Sequence, residues 1–142
     1  MDTDKLLKAL EDDSNETLMN FSTIKIRQMN YQIVHELHLY QNDEQKLLDK
    51  LNGYKYVDEI ADLRYGTYLR WINITDPNKI FLTKGALFCN VKITDDGIFL
   101  VCKNYGPFSR HFQLNMDSNL IFQKLTDQEN ILLSALDHLS KN

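Results

Sequence analysis

The apolar positions in the first third of the chain recur with helical spacing. Residues 2–13 form a short amphipathic pattern with three leucines on one side. A second apolar series occupies positions 19, 26, 29, 33, 37 and 40, with steps of 7, 3, 4, 4 and 3. No Gly or Pro lies between residues 14 and 40. The pattern therefore predicts a helix that begins at a Ser14 cap and extends to about Tyr40.

The segment QNDEQ at 41–45 is compatible with two helical arrangements. Either a new helix begins there with Asn42 as its cap, or the first helix runs through; Gly53 is a good stop in both cases. The apolar seam is long enough for a helical hairpin or for a coiled coil between subunits. Asn30 and Glu44 interrupt its heptads, which favours the hairpin.

After residue 60 the pattern changes to short runs of β-branched and aromatic residues. Residues 54–66 are mixed, and we interpret them as a short helix or turn that enters a sheet. Gly85 predicts a bulge, bend or turn that divides the long run at 80–94, and Gly97 fits a hairpin turn. Five strands are predicted, at 67–75, 80–94, 98–104, 109–117 and 119–125. This number and length are typical of a small SH3-like or OB-like barrel.

The elements together predict an α+β protein with three parts. Residues 1–60 form a helical segment, and residues 61–125 form a small five-stranded β-barrel. Residues 126–142 form a C-terminal helix that packs on the barrel. This helix opens with a capping box, in which Thr126 and Glu129 satisfy each other's backbone N–H groups.

Charge and composition exclude several classes of protein. The 142 residues carry a net charge of −4, with −5 in residues 1–65 and +2 in residues 66–117, far from the basic surplus of a dedicated DNA-binding protein. No apolar run approaches the roughly 20 residues of a membrane span, and the acidic start is unlike a secretory signal. We expect an intracellular location, cytoplasmic or nuclear. Cys89 and Cys102 then fit two buried thiols better than a disulfide.

Candidate catalytic groups are few. His35 and His38 stand three residues apart on the predicted helix and share one face, which suits a metal. A third ligand would have to come from His111, Glu36 or an acid of the first helix, so a solvated or partly buried pair of histidines is the better interpretation. The two cysteines lie in apolar strands, where thiols are normally inert. We expect a protein that is not an enzyme, with no catalytic residues, no cofactor and no metal, and we infer no small-molecule substrate.

Nucleic-acid binding is an alternative function. Small barrels bind single strands by stacking bases on exposed aromatic rings beside cations. Tyr68, Arg70, Lys103 and Arg110 are the residues that fit this role. In the opposing interpretation Trp71 and Phe88 fill the barrel core while the cations only extend into solvent.

Protein binding is the leading function. The helical segment carries more apolar residues than a short hairpin needs, and surplus apolar surface usually marks a partner or a self-association face. The predicted interface consists of Ile26, Ile33, Leu37 and Tyr40.

Residues 62–125 also carry a family resemblance. Gly66-x-Tyr68-x-Arg70-Trp71 is followed by Leu82-Thr83-Lys84-Gly85, where Ala86 replaces a second glycine. This pattern resembles small β-barrel proteins of large nucleocytoplasmic DNA viruses. The resemblance implies a virion or minor capsid-type structural component, or a viral factor for transcription or genome handling. It implies no catalytic residues.

Overall fold

A computed structural model describes residues 3–11 and 22–140. The described residues form two compact units. The helical unit contains the chain up to Lys55 together with the residues from Leu125 onward, and the sheet unit is Tyr56–Lys124. An α+β protein with helices before and after the strands is therefore confirmed.

Within residues 3–11 and 22–140, the helical unit has four α-helices: α1 (Thr3–Glu11), α2 (Thr23–His35), α3 (Gln41–Lys50) and α4 (Asp127–Ser140). Helix α4 contacts α1 and α2. Ile26 of α2 is buried against Leu132 and Leu133 of α4, and these three residues form one core cluster of the unit. The C-terminal helix thus belongs to the helical unit. Its packing on the strands stays a prediction.

Helix α2 begins at a cap that the sequence pattern did not indicate. Its N-cap is Ser22, whose Oγ accepts a hydrogen bond from the backbone N of Lys25 at 3.2 Å. Thr23 donates from its backbone N and its Oγ1 to the carboxylate of Asp137 in α4, at 3.1 and 2.6 Å. This carboxylate satisfies a free backbone donor at a helix N-terminus and lies where the dipole favours negative charge. The predicted cap, Ser14, lies outside the described residues.

The predicted helix to Tyr40 is wrong at its C-terminal end. Helix α2 ends at His35, and His38 has a φ of +54° in the connection before α3. Positive φ is unfavourable for a residue with a side chain, and nothing in the composition of this segment signals it. Asn42 is not the cap of α3, because that position is Tyr40, which makes no side-chain capping bond. Helices α2 and α3 contact each other within the chain.

The capping box of α4 is confirmed. The Thr126 backbone N donates to Oε1 of Glu129 at 3.0 Å, and the Glu129 backbone N donates to Oγ1 of Thr126 at 3.1 Å.

The strands form one open sheet, so the prediction of a closed five-stranded barrel is wrong. They are β1 (Tyr54–Val57), β2 (Tyr68–Asn73), β3 (Ala86–Thr94), β4 (Gly97–Lys103), β5 (His111–Asn115) and β6 (Asn119–Lys124). Their order is β1-β6-β2-β3-β4-β5, with antiparallel pairing between β2 and β3, β2 and β6, β3 and β4, and β4 and β5. The sixth strand comes from residues 54–57, a segment too short and mixed in pattern to be recognised as a strand.

One face of the sheet carries the core of the sheet unit. Leu69, Phe88, Leu100, Cys102 and Ile121 are buried there. The ring of Trp71 packs against this core and lies 5.7 Å from that of Phe112, centroid to centroid. The expectation that Trp71 and Phe88 serve the core is confirmed.

Gly85 divides the predicted strand at 80–94, as expected. It has a φ of +96°, and a Cβ atom there would lie 2.3 Å from the carbonyl O of Leu69. Only glycine allows the chain to pass so close to β2 in this conformation. Before it, Leu82 makes a single bridge to Ile72; after it, Ala86 begins β3.

Gln123 holds the loop that leads into β2. This buried side chain accepts hydrogen bonds through Oε1 from the Arg64 backbone N at 2.8 Å and from Thr67 Oγ1 at 2.9 Å. Its Nε2 donates to the carbonyl O of Asp62 at 3.1 Å. A single polar side chain on β6 thus fixes three positions of the 62–67 loop.

Candidate functional site

Four side chains lie in a row across the outward face of the sheet unit. Strand register pairs Tyr68 with Leu87, Leu87 with Lys103, and Lys103 with His111. Residues directly opposite each other in an antiparallel pair point to the same face. Their neighbours along the strands belong to the core, so this row faces away from it. We call these four residues the outward row.

The loop at 104–110 places aromatic side chains beside the outward row. The Tyr105 ring stacks on the Tyr68 ring, with centroids 6.2 Å apart and planes 22° from parallel. Tyr105 is nevertheless 73% exposed, and Phe108 in the same loop is 85% exposed. The backbone N of Asn104 donates to the carbonyl O of Arg110 at 3.2 Å, which closes the base of the loop. The loop therefore presents two large aromatic rings to solvent.

Two hydrogen bonds to the segment before Gly85 fix the β2 side of the site. The Tyr68 hydroxyl donates to the carbonyl O of Lys84 at 3.0 Å. Nε of Arg70 donates to the carbonyl O of Thr83 at 2.8 Å. Tyr68 and Arg70 stand two residues apart on β2 and share its outward face. Their side chains are held in place before any ligand arrives.

A recess of about 200 Å³ opens next to the stacked tyrosines. Leu87 and Lys103 of the outward row line it, together with Asn104, Tyr105, Gly106 and Ser109 of the loop. Its wall combines an apolar side chain, an aromatic ring and a cation. Such a recess suits a planar group that carries or adjoins negative charge.

The segments that build this site contain basic residues and no acidic ones. Residues 77–94 and 97–116 hold five Lys or Arg and no Asp or Glu. The acidic pair Asp95–Asp96 lies at the β3–β4 turn, while Lys103 lies at the far end of β4. The acidic pair and the outward row therefore lie at opposite ends of the β3–β4 hairpin.

Three of the four residues predicted for nucleic-acid binding come together on this face. Tyr68, Arg70 and Lys103 lie on the outward face of their strands, and Arg110 is an exposed residue at the end of the loop. Sequence reasoning did not assign Phe108 to the site. A Gly-Pro turn next to a phenylalanine, at Gly106–Phe108, was the available signal for an exposed aromatic residue.

The residues predicted for a protein interface separate into two groups. Ile26 is buried in the core of the helical unit, so it is not part of a surface. Ile33 and Leu37 are half-buried, and Tyr40 is 86% exposed between α2 and α3. A recess of about 500 Å³ in the same region is lined by Tyr31, His35, His38, Leu39, Gln41 and Glu44.

The geometry assumed for a metal at His35 and His38 is wrong. Helix α2 ends at His35, so His38 does not lie on the same helical face. Nδ1 of His35 lies 2.8 Å from Oε1 of Glu44, and its ring stacks on that of Tyr31. Within residues 3–11 and 22–140, no group of three or more His, Cys, Asp or Glu side chains is arranged to hold a metal ion.

Both cysteines are free thiols. Burial, together with the nearby Cys89, raises the pKa of Cys102 to about 12. A thiol with so high a pKa carries almost no thiolate near neutral pH and is a poor nucleophile. Cys102 is therefore a packing residue of the sheet core, while Cys89 is only half-buried.

None of the four helices that the structure describes has the length and apolar character needed to cross a membrane. No protein-family model, curated protein or solved structure matches this chain.

Proposed function

We propose that this protein is a non-catalytic binding or assembly module whose helical unit contacts protein partners. The contact surface lies around the connection between α2 and α3 and consists of Tyr31, Leu37, Leu39 and Tyr40; we call it the turn surface. The observation that carries the proposal is the exposure of its aromatic rings, 86% for Tyr40 and 46% for Tyr31. Tyrosines are enriched in protein interfaces, and clustered exposed apolar groups usually mark one.

The shape of the turn surface supports this proposal. The recess of about 500 Å³ beside Tyr31 and Leu39 offers a concave site into which a side chain of a partner can insert. Interfaces draw most of their binding free energy from a few such anchors in well-packed pockets. A second copy of the chain, which carries its own exposed Tyr40, is the partner tested first.

Light scattering of the purified chain, in low and in high salt, tests assembly. We expect a mass that is a multiple of 16.7 kDa and persists in high salt, because apolar contacts are not screened. Tyr40→Asp should return the chain to a monomer. The matched control is Gln28→Asp, which adds the same charge at an exposed position of α2. A wild-type monomer at high protein concentration, or equal effects of the two variants, would refute assembly through the turn surface.

A virus particle is the setting that the resemblance of residues 62–125 supports, with the chain as a virion or minor capsid-type component. Two glycines of the resembling segment, Gly66 and Gly85, have φ values of +81° and +96°. Glycine adopts positive φ without strain, which explains why the pattern has glycine at these two positions. Quantitative mass spectrometry of purified particles tests this setting. Recovery in stoichiometric amount supports it, and recovery at the level of soluble contaminants refutes it.

A further inference from the structure

We infer that the outward face of the sheet unit around Tyr68, Lys103 and Tyr105 is a binding site for single-stranded nucleic acid. This site lies in the sheet unit, whereas the proposed assembly surface lies in the helical unit. The inference therefore goes beyond the proposed function and does not depend on it.

The stacked tyrosines supply the platform for a base. One face of the Tyr105 ring is directed to Tyr68, and the 73% exposure of the residue leaves ring surface open for a further stacking partner. The hydrogen bond from the Tyr68 hydroxyl to Lys84 fixes the ring underneath. Stacking on an exposed ring needs a base that is not already paired and stacked in a duplex, so the ligand is a single strand.

A cation lies beside the platform. Lys103 is the last residue of β4, directly before the loop, and belongs to the outward row. A strand whose base lies on Tyr105 would bring a phosphate toward Lys103, where charged hydrogen bonds to phosphate oxygens are favourable. Arg110 is exposed, but it directly precedes His111 of the outward row, so alternation along the strand does not place its side chain on this face.

Charge complementarity favours nucleic acid over a protein at this face. The 97–116 segment contains Lys103 and Arg110 and no acidic residue. The recess of about 200 Å³ beside Tyr105 adds an apolar wall from Leu87. It accepts a planar ring while Lys103, at its rim, faces the adjoining phosphate. An acidic protein segment would satisfy the cations and leave the stacked rings without a planar partner.

Fluorescence anisotropy of labelled single strands tests the site in the full-length chain. The probes are oligo(dT) and oligo(U) of about twelve nucleotides, a length within the usual site sizes of such proteins. Either probe tests the shared chemistry of a single strand, and the tighter one identifies DNA or RNA. A duplex of the same length and an inorganic polyphosphate serve as ligands without accessible bases.

We expect salt-dependent binding that Tyr105→Ala weakens roughly 5- to 100-fold and Tyr105→Phe preserves. Lys103→Ala should lower the slope of log affinity against log salt by about 0.7, the value for one phosphate contact. The matched control is Lys46→Ala, at an exposed lysine of α3 that belongs to neither proposed surface. It should not change the affinity.

Three results would overturn the inference. The first is a wild-type chain that does not bind either single strand in low salt. The second is Tyr105→Ala binding as tightly as Tyr105→Phe. The third is an equal loss of polyphosphate binding in Tyr105→Ala, since that ligand has nothing to stack. Light scattering of the same samples reports assembly separately, so failure of this site and failure of the turn surface are distinguishable.

Discussion

Gly85→Ala is expected to destabilise the sheet unit and to disturb the outward row at the same time. The added Cβ would lie 2.3 Å from the Leu69 carbonyl O, 2.7 Å from Cε1 of Tyr68 and 3.0 Å from Cγ of Arg70. The first of these neighbours is backbone in the middle of the sheet and cannot rotate away. The chain must therefore move at Gly85, or β2 must move.

The expected magnitude is the sum of two separate costs. Holding alanine at a φ of +96° costs about 1–3 kcal/mol, the range for residues in sparsely populated backbone regions. Relief of the contact with Leu69 adds about 1–3 kcal/mol, typical for overpacking a well-packed site. The sum of about 2–6 kcal/mol is a large part of the roughly 5–15 kcal/mol by which a domain is stable.

Gly66→Ala is the matched control for the first cost. Gly66 has a φ of +81°, close to that of Gly85, and a Cβ atom there would meet nothing within 4 Å. Neither glycine precedes a proline, so both substitutions restrict the unfolded chain to a similar extent and that effect cancels in the comparison. The difference between the two variants measures the contact with β2 alone, and we expect about 1–3 kcal/mol.

Equilibrium unfolding in urea measures this difference. Trp71 is the only tryptophan of the chain and packs on the sheet core beside Phe112, so its fluorescence reports on the sheet unit. Gly85→Ala should unfold at a lower urea concentration than Gly66→Ala. Equal midpoints would show that β2 accommodates a methyl group without cost, and the argument that Gly85 is required by close approach would be refuted.

Three further predictions concern single side chains. Gln123→Leu removes the acceptor of the Arg64 backbone N and the donor to the Asp62 carbonyl O, while Thr67 Oγ1 keeps the Arg64 carbonyl O as its acceptor at 2.7 Å. The change should cost about 1–3 kcal/mol by urea unfolding, and unchanged stability would contradict the described bonds. Thr126→Ala removes one half of the α4 capping box and should cost about 1 kcal/mol by the same measurement, with Thr126→Ser as the variant that retains the bond. Cys102, with a pKa of about 12, should react with iodoacetamide more slowly than Cys89 at pH 8, and its rate should increase as the pH rises toward 12. Mass spectrometry measures the two rates in the folded chain, and equal rates would contradict the burial of Cys102.

The features that the sequence predicted correctly depend on few neighbouring residues. A capping box needs only Thr126 and Glu129, the two ends of a four-residue stretch. The division at Gly85 needs one residue without a side chain. In each case local chemistry has one favoured solution, and the tertiary structure agrees with it.

The features that it missed depend on residues distant in sequence. The carboxylate at the start of α2 comes from Asp137, 114 positions away from Thr23. The edge strand at 54–57 has four residues and gains its partners only when β6 has been placed. Strands β1 and β5 lie at the two edges of the sheet, so the sheet is open, whereas the five predicted strands were expected to close into a barrel. Periodicity within a segment carries no information on such pairings.

The candidate nucleic-acid site could be predicted only in part, because the sequence indicated its residue types but not their arrangement. A single residue of β3 explains this difference. Starting at the β3–β4 turn, the residues of the two strands pair one to one, from Thr94 with Gly97 as far as Asn90 with Val101. If that register continued, Lys103 would stand opposite Phe88, a core residue.

The extra residue Cys89 shifts the register, so that Phe88 pairs with Cys102 and Leu87 pairs with Lys103. This bulge keeps Phe88 and Cys102 together on the core side and turns Leu87 and Lys103 outward, beside Tyr68. The stretch Ala86–Cys89 is apolar at both alternating positions, so hydrophobic patterning permits either register. Sequence reasoning could therefore select tyrosine and lysine as the residue types for a single strand. Their placement in one row depends on how β3 and β4 satisfy the core.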